Sequence, residues 1–281
     1  MFEFFEAVGT YGFLQYALAA GLLASLACGV VGPYVVVKRI TYLAGAIAHS
    51  VLGGMGAARY LAVVQGWTWL SPLYGALVAA LAAALVIGLV SLKARQREDT
   101  IIGAIWATGV ALGVIFMAHT PGYSVNLMSY LFGNILMVGP DDLWLLVWLD
   151  VLVLVVGLGW RHKLVAVCFD QEFARLRGLA VEGYYLVLLA MTALTVVVLS
   201  SVVGLIMVIA LLTLPAGIAS NFTKSLSMIM LWSVVLSAVF TTSGLALSYT
   251  PDLPPGAVII LLAGAVYLVV SLGRAVRDRR A

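Results

Sequence analysis

Long apolar runs recur along the whole chain and constrain its fold more than any other feature. They fall near residues 11–37, 42–64, 71–92, 100–119, 141–160, 183–201, 203–220, 225–247 and 255–273. Each is close to the roughly 20 residues that an α-helix needs to cross the hydrocarbon core of a bilayer. With 64% hydrophobic and 10% charged residues, the composition excludes a soluble globular protein. The sequence therefore predicts an all-α polytopic membrane protein with about eight or nine transmembrane helices.

The helix count depends on the junction at Gly204. The runs 183–201 and 203–220 are short and are joined there with almost no polar turn. If they form one broken helix, the chain crosses the membrane eight times. If they are separate, it crosses nine times. In both cases we expect all of 1–281 to form a single transmembrane domain without a soluble domain of its own.

Basic residues indicate which side of the membrane each connection occupies. They cluster at Lys38–Arg39, Lys93–Arg97, Arg161–Arg177, Lys224 and Arg274–Arg280. Cytoplasmic connections are enriched in lysine and arginine, so nine spans with every cluster inside favour an extracytoplasmic N-terminus and a cytoplasmic C-terminus. This agreement is the reason for preferring nine spans over eight.

The second run carries a single imidazole, His49. At about 1.5 Å per residue from the preceding basic pair, it lies roughly 15 Å into the bilayer, close to the midplane. Steps of four give Gly45, Gly53 and Ala57, so this face either packs tightly on another helix or borders a cavity. An ionisable group at this depth is costly and indicates a pathway or binding residue. The alternative is a neutral histidine hydrogen-bonded across a helix interface.

Three further polar side chains lie in apolar surroundings. Asp150 is near the middle of its run, where a carboxyl must be protonated, paired or solvated. His119, at the outer end of the fourth run, either receives a cation or is a solvated loop residue. Cys28 is either a soft metal ligand or a small packed side chain. An intramembrane enzyme using His49 and Asp150 as acid and base would lack a second carboxylate or nucleophile.

The outer connection at 120–140 contains the segment YLFGNIL, which is too short to span the membrane. It predicts a re-entrant or short helix at about 127–137, since such backbone is tolerated at membrane depth only where protein or a water-filled cavity covers it. No nucleotide-binding loop, zinc-protease motif or cofactor fingerprint occurs in the sequence. We therefore expect no permanently bound cofactor and an energy source outside the chain.

The inner connection predicts a short amphipathic helix at about 169–179. Acidic residues come early in it and Arg175 comes late, which suits the helix dipole, and Gly178 is its stop signal. Phe169, Phe173 and Leu176 fall on one face. Such a helix either anchors two spans at the membrane surface or inserts into a groove of a partner.

Six motifs, in this order, resemble the permease subunits of bacterial zinc, manganese and iron ABC importers. They are KRITYLAGAIAHSVLGG, EDTIIGA, YLFGNIL, DQEFARLRG, VGLIMVIALLTLPA and LPPGAVII. Each motif alone is weak, but six in the right order are specific. The resemblance runs from about residue 20 to about residue 270 and so covers almost the whole chain.

The resemblance implies a type II-like ABC importer transmembrane domain in the bacterial cytoplasmic (inner) membrane, similar in architecture to the vitamin B12 type of importer. Its implied partners are a second permease protomer in a homodimer, cytoplasmic ABC ATPase subunits that hydrolyse ATP, an extracytoplasmic metal-binding protein and the lipid bilayer, with no nucleic acid. The permease itself is then no enzyme. The inner helix is implied to dock into the ATPase through its coupling residues Asp170, Glu172, Phe173, Ala174, Arg175 and Gly178.

His49 matches the histidine of the family's intramembrane metal site, but three carboxylates that the family usually carries are absent. Gly45 stands where an aspartate precedes the histidine by one helical turn, Asn126 precedes LMSY, and Asn134 follows LFG. Carboxylates suit manganese, whereas imidazole suits zinc, manganese and iron. Zinc is therefore the favoured cargo, with manganese or iron as alternatives.

In this interpretation, His49 of each protomer holds the metal transiently near the dimer axis, and Asp150 compensates its charge. His119 and Asn126 are further candidate metal contacts. Two other interpretations stay open at this point: the same ABC architecture moves a metal chelate or another small solute, or the chain is an ion-coupled carrier.

Overall fold

The chain is described here from a computed structural model that covers residues 2–93, 98–121 and 133–278. These residues form α-helices and one 3₁₀ turn at Ile135–Met137, and none of them forms a strand. The helices are α1 (Phe2–Thr10), α2 (Gly12–Val37), α3 (Thr41–Val64), α4 (Pro72–Lys93), α5 (Glu98–Ala118), α6 (Pro140–Gly159), α7 (Arg161–Phe169), α8 (Gln171–Leu176), α9 (Val181–Val203), α10 (Leu205–Phe222), α11 (Leu226–Tyr249) and α12 (Pro255–Asp278).

In these ranges, 9 helices are long and apolar enough to cross a membrane: α2 to α6 and α9 to α12. The prediction of an all-helical polytopic protein is thus confirmed, with nine candidate spans at the positions of the apolar runs. Gly204 separates α9 from α10 and has φ 90° and ψ 152°. Because glycine has no Cβ, it adopts this left-handed conformation without steric cost.

Two short helices, α1 and α7, were not predicted from the sequence. α1 precedes the first apolar run, and its Phe4 is 1% exposed and packs edge-on against Tyr249 with ring centroids 5.9 Å apart. α7 follows α6 directly and buries Leu164 and Val167. Both helices are too short to span a bilayer, so a search for long apolar runs does not detect them.

The described contacts divide the chain into two compact units. The first unit comprises Met1–Lys38, Met128–Arg161 and Val198–Ala281. The second unit comprises Arg39–Leu127 and His162–Val197. Each is described by itself below, and the expectation of a single permease domain over 1–281 stays a prediction.

In the first unit, α2 is the central helix and contacts α6, α10 and α11. Small residues allow the close approach, as is common between membrane helices. A Cβ on Gly29 would lie 2.6 Å from the backbone nitrogen of Val234 in α11. On the side of α6, the Tyr34 hydroxyl donates a hydrogen bond of 2.6 Å to the carbonyl oxygen of Gly157.

The contacts of α2 also give the relative directions of its neighbours. Tyr34 meets Gly157, and Ala27 lies beside Asp150, so moving seven residues back along α2 means moving seven back along α6. These two helices therefore run parallel. α2 and α11 run antiparallel, because Gly21 contacts Thr241 and Gly29 contacts Val234. Both directions agree with a chain that alternates across the membrane nine times.

In the second unit, α3 packs against both α4 and α5. Gly53 of α3 lies against Gly109 of α5, and Gly56 lies against Gly113, so these helices run parallel and meet through small residues. Gly75 of α4 lies against the α3 backbone in the same manner. A side chain at any of these contacts would push the helices apart.

The basic residues of the first unit gather at one end of its helices. Arg161 donates a hydrogen bond of 2.8 Å to the Ser227 hydroxyl at the start of α11. Arg274 in the last turns of α12 donates to the carbonyl oxygen of Asn221 near the end of α10, at 2.9 Å. The opposite end of α6 begins with Asp141 and Asp142. The enrichment of basic residues in cytoplasmic connections predicts that the basic end is cytoplasmic.

Candidate functional site

His49 lies in the first half of α3 and is half-buried. Its ring stacks on the indole of Trp106 in α5, with centroids 4.5 Å apart and planes inclined by 11°. Tyr42, two turns earlier on the same face of α3, packs against the same indole with centroids 5.8 Å apart. The second unit therefore places the imidazole in a small aromatic cluster.

The glycine contact between α3 and α5 explains why these rings meet. His49 precedes Gly53 by four residues, and Trp106 precedes Gly109 by three. Since the helices run parallel and touch at Gly53 and Gly109, the side chains one turn before that contact face each other. Trp106 was not singled out from the sequence. The signal that could have identified it is the Gly109-x-x-x-Gly113 spacing on α5.

The His49 imidazole has no hydrogen bond to any of the residues that the structure describes. The neighbouring Ser50 hydroxyl donates instead to the Ala46 carbonyl oxygen of its own helix, at 2.9 Å. The alternative interpretation requires a hydrogen bond from His49 across a helix interface. No such bond occurs within these ranges.

From the sequence, the small-residue face around His49 either packs tightly on another helix or borders a cavity, and the structure shows both. At Gly53 the packing is tight, because an added Cβ would lie 2.8 Å from the Gly109 carbonyl oxygen. At Gly45, one turn before His49, the backbone is buried but an added Cβ would meet nothing within 4 Å. Open space therefore lies beside Gly45, where the resemblance leads one to expect an aspartate.

Asp150 belongs to the first unit and is 4% exposed, so it does not face lipid. Its carboxyl lies beside the Ala27 backbone and close to the Cys28 thiol of α2. Neither carboxyl oxygen has a hydrogen-bond partner among the described residues. Such a group is costly in an apolar interior. Its predicted role as the acid that compensates the charge of a metal at His49 stays a prediction.

His119 and Asn126 are the other candidate metal contacts, and only His119 lies within the described ranges. His119 follows α5 and is exposed, with its Nδ1 atom 2.9 Å from the Ile115 carbonyl oxygen, as expected of a solvated residue. Asn134 is exposed and precedes the 3₁₀ turn. Asn126 and most of the helix predicted at about 127–137 lie outside the described residues.

No group of three or more His, Cys, Asp or Glu side chains that could hold a metal ion occurs in the part of the chain that the structure describes. His49 therefore belongs to no such group among these residues.

The inner connection contains a capped helix, α8, inside the range predicted from the sequence. The Asp170 carboxylate accepts a hydrogen bond of 2.9 Å from the backbone N–H of Phe173, which satisfies one free donor at the helix start. Gly178 ends the helix with φ 76°, and its N–H donates to the Arg175 carbonyl oxygen at 2.9 Å. The short helix and its stop at Gly178 were predicted from the sequence, whereas the capping role of Asp170 was not.

α8 exposes apolar and charged side chains on the same segment. Leu176 is 86% exposed and Phe173 is 53% exposed, whereas Ala174 is 1% exposed and anchors the helix. The Arg177 guanidinium lies 5.1 Å from the centroid of the Phe173 ring. Next to it, Arg175 and Glu182 form an exposed ion pair at 3.6 Å. An apolar surface with a basic border is typical of a protein-docking segment.

Comparison with protein families identifies the chain. A model described as "ABC 3 transport family" matches residues 10–274. The chain belongs to the ABC 3 transport family. This ABC 3 permease is 41% identical over 251 residues to a "Probable metal transport system membrane protein" of Chlamydia trachomatis, covering 89% of this chain and 85% of the relative. It is 33% identical over 271 residues to the "Manganese transport system membrane protein MntC" of Listeria innocua, covering 96% and 93%.

A solved structure agrees with the family assignment. The chain superposes on a chain of the structure described as "PsaBC from Streptococcus pneumoniae in complex with Fab" with a TM-score of 0.83 and 28% identity. The match covers 95% of this chain and 94% of that chain. The resemblance inferred from six motifs is thus confirmed, and the ABC 3 permease is a multi-pass protein of the cytoplasmic (inner) membrane.

Proposed function

We propose that this ABC 3 permease is the membrane-spanning subunit of an importer that moves a divalent transition metal into the cytoplasm. The family is one of transport proteins, and relatives along almost the full chain carry names of metal transport systems. In ABC systems ATP hydrolysis belongs to a separate subunit. An extracytoplasmic metal-binding protein delivers the cargo, and the permease performs no catalysis.

The observation that carries this proposal is the environment of His49. A half-buried imidazole lies within a membrane-spanning helix, stacked on Trp106, unbonded among the described residues and one turn from the open space at Gly45. An ionisable side chain is kept at such a depth when it serves a pathway. Neutral imidazole binds zinc, manganese and iron, and a single ligand holds the ion weakly enough for release.

Zinc is the favoured cargo because the sequence lacks carboxylates that the resemblance leads one to expect at the metal site. Manganese prefers oxygen ligands, and Gly45 and Asn134 supply none of the carboxylates that the resemblance leads one to expect. Manganese is the first alternative, because relatives are named for manganese transport. Iron is the second alternative. In the proposed homodimer, the second copy of the chain adds its own His49 and so raises the number of ligands.

A metal chelate is the second candidate cargo. It is favoured by the open space at Gly45, where an added Cβ meets nothing within 4 Å. A chelate carries its own ligands, so it needs room and few protein ligands. The loss of carboxylates and the presence of space are both expected for such a cargo.

ATP hydrolysis is coupled to transport through α8 in this proposal. Phe173 and Leu176 are exposed apolar side chains, and Asp170 and Gly178 hold the ends of the helix in a defined conformation. A short, rigid helix with exposed apolar side chains can seat in a groove of the ATPase. The proposed coupling residues are Asp170, Glu172, Phe173, Ala174, Arg175 and Gly178.

The test is the metal content of cells that express the whole transporter, measured by elemental mass spectrometry, compared with cells carrying His49→Ala. We expect zinc to accumulate with the unchanged chain and to fall to the background level with His49→Ala. His162→Ala is the matched control, since it removes an exposed histidine of α7 outside the spans and should leave accumulation unchanged.

Each outcome discriminates between cargoes. Accumulation of manganese or iron instead of zinc would replace the favoured metal but keep the function. No change in any metal, with the ATPase still bound to the permease, would indicate a solute without a metal, since elemental mass spectrometry also detects chelated metal. Equal loss with His49→Ala and His162→Ala would contradict a specific role of His49.

A further inference from the structure

A cavity of about 360 Å³ lies between the C-terminal ends of α10 and α12 in the first unit. The residues of α12 that line it change from apolar to basic along the helix. Val269 and Val270 line it toward the middle of the helix, and Arg274 and Arg277 line it toward the chain end. None of the predicted transport or coupling residues lines this cavity. The proposed function therefore leaves it without a role.

The guanidinium groups of Arg274 and Arg277 both line the cavity, and hydrogen bonds to Asn221 fix that of Arg274. Arg274 Nη1 donates to Asn221 at both the carbonyl oxygen, at 2.9 Å, and the side-chain oxygen, at 3.0 Å. These bonds connect α10 to α12 and hold the Arg274 guanidinium in place while it stays exposed. Arg277 is exposed nearly one turn further along α12. Two positive charges thus converge on one opening.

The position of the cavity fits the boundary between hydrocarbon and headgroups. α12 is a membrane-spanning helix, and both arginines come in its last turns. On the cavity side of α12, Val269 is 72% exposed, and Val266 precedes Val270 by one turn on the same face. Apolar side chains exposed along a spanning helix face acyl chains. A ligand in the cavity can thus have a charged part beside the arginines and an apolar part along α12.

We propose that this cavity binds the headgroup of an anionic phospholipid, with an acyl chain along Val269 and Val266. Arginine matches the geometry of phosphate oxygens with paired N–H donors. Basic pockets between the ends of transmembrane helices are suited to anionic headgroups. A zwitterionic lipid brings a second, positive group that the arginines repel. Free phosphate has the anionic part but lacks the apolar part that the valines contact.

The bound lipid joins α10 and α12 at the same end where Arg274 and Asn221 already connect them. A lipid that binds only the folded chain raises its thermal stability, and the increase grows with lipid concentration. The increase in thermal midpoint with phosphatidylglycerol should therefore exceed the increase with phosphatidylcholine. This gives a readout that does not depend on which solute the permease moves.

The test titrates the purified full-length chain with phosphatidylglycerol and with phosphatidylcholine and counts bound lipids by native mass spectrometry. We expect a site that prefers phosphatidylglycerol by about tenfold. Arg277→Gln should weaken the binding of phosphatidylglycerol by about fivefold, which is the effect of one basic residue near an anionic lipid surface. Lys224→Gln removes the same charge near the end of α10 but outside the cavity lining, and should change affinity by less than about twofold.

A second variant fills the cavity without changing its charge. Gly273 lines the cavity, and a Cβ added there meets nothing within 4 Å, so Gly273→Phe should fold and abolish the preference for phosphatidylglycerol. Gly264→Phe is its control, because a Cβ at Gly264 on the same helix is equally unobstructed and lies outside the cavity lining.

Four results would overturn the proposal. These are equal binding of the two lipids, equal weakening by Arg277→Gln and Lys224→Gln, full binding by Gly273→Phe, and displacement of the lipid by millimolar inorganic phosphate. The last result would identify a site for a free anion. A change of oligomeric state in Gly273→Phe, without a change in lipid binding, would identify a contact between protein chains.

Discussion

The imidazole of His49 lies parallel to the indole of Trp106, with ring centroids 4.5 Å apart and planes inclined by 11°. Stacking engages the face of the imidazole and leaves its nitrogens, which lie at the ring edge, directed away from the indole. Tyr42, two turns before His49 on α3, packs on the same indole. Trp106 therefore orients a histidine that has no hydrogen bond among the described residues.

Trp106→Ala should lower metal accumulation without unfolding the permease. An aromatic pair contributes about 0.5–1.5 kcal/mol, so loss of the stack should reduce uptake by roughly 2- to 10-fold, and Trp106→Phe should keep most of it. Initial uptake rates of radioactive metal into cells provide the measurement. Trp148→Ala is the control, because Trp148 is 70% exposed on α6 and belongs to the first unit. Equal losses in Trp106→Ala and Trp148→Ala would contradict the orienting role.

Gly45→Asp should shift the cargo preference from zinc toward manganese. The added carboxylate would lie one helical turn before His49, in space where a Cβ meets nothing within 4 Å. Oxygen ligands favour manganese over ions that prefer nitrogen or sulfur ligands. The ratio of manganese to zinc in cells expressing the variant transporter, measured by elemental mass spectrometry, should rise severalfold.

Gly53→Asp is the control for this change, since it places the same carboxylate on the same face of α3. There an added Cβ would lie 2.8 Å from the Gly109 carbonyl oxygen, so the variant should fail to fold or lose all transport. A well-folded Gly45→Asp permease with an unchanged metal ratio would show that the space beside Gly45 is not on the pathway.

Gly29→Ala should destabilise the first unit. Its Cβ would lie 2.6 Å from the backbone nitrogen of Val234, and backbone atoms cannot move aside as a flexible side chain does. Overpacking of this kind costs about 1–3 kcal/mol of the free energy of unfolding. Gly264→Ala, where a Cβ meets nothing within 4 Å, should be neutral or stabilise by up to about 1 kcal/mol. Thermal midpoints of the two variants in detergent should therefore move in opposite directions.

Helix positions were predictable from the sequence because each span is a long apolar run that ends near charged or turn-forming residues. The nine runs correspond to the nine candidate spans in the described ranges. The capped helix α8 was also predictable, since Asp170 and Gly178 are local signals that act within one turn. Short helices such as α1 and α7 carry neither signal, and they form because residues such as Phe4 find distant partners.

The contacts around His49 were only partly predictable. Its depth and its small-residue face follow from counting along one helix. The identity of its neighbour, Trp106, depends on which helix packs against that face and at which register, and both depend on the glycine contact between Gly53 and Gly109. The same holds for Asp150, whose neighbours Ala27 and Cys28 come from a helix more than 100 residues away in sequence.

Asp150→Leu should raise thermal stability. The carboxyl is 4% exposed, and neither of its oxygens has a hydrogen-bond partner among the described residues, so an apolar side chain of similar shape removes a desolvation cost of about 1–3 kcal/mol. Asp142→Leu is the matched control on the same helix. Asp142 accepts a hydrogen bond of 2.9 Å from the Gly139 N–H at the start of α6, so its loss should lower stability by about 0.5–2 kcal/mol. A lower thermal midpoint in Asp150→Leu would indicate that the carboxyl holds an ion or a water.

Phe173→Ala should separate ATP hydrolysis from transport while leaving the permease folded. Phe173 is 53% exposed on α8 and contributes to no buried cluster, so its removal should change stability by less than about 0.5 kcal/mol. Truncation of an exposed aromatic anchor in an interface commonly costs 2 kcal/mol or more of binding free energy, which is about 30-fold in affinity. Copurification of the ATPase with the permease and substrate-stimulated ATP hydrolysis in reconstituted vesicles should both fall. Trp69→Ala, which removes an aromatic side chain that is 70% exposed between α3 and α4, should affect neither. Unchanged copurification and unchanged stimulation in Phe173→Ala would reject α8 as the segment that docks into the ATPase.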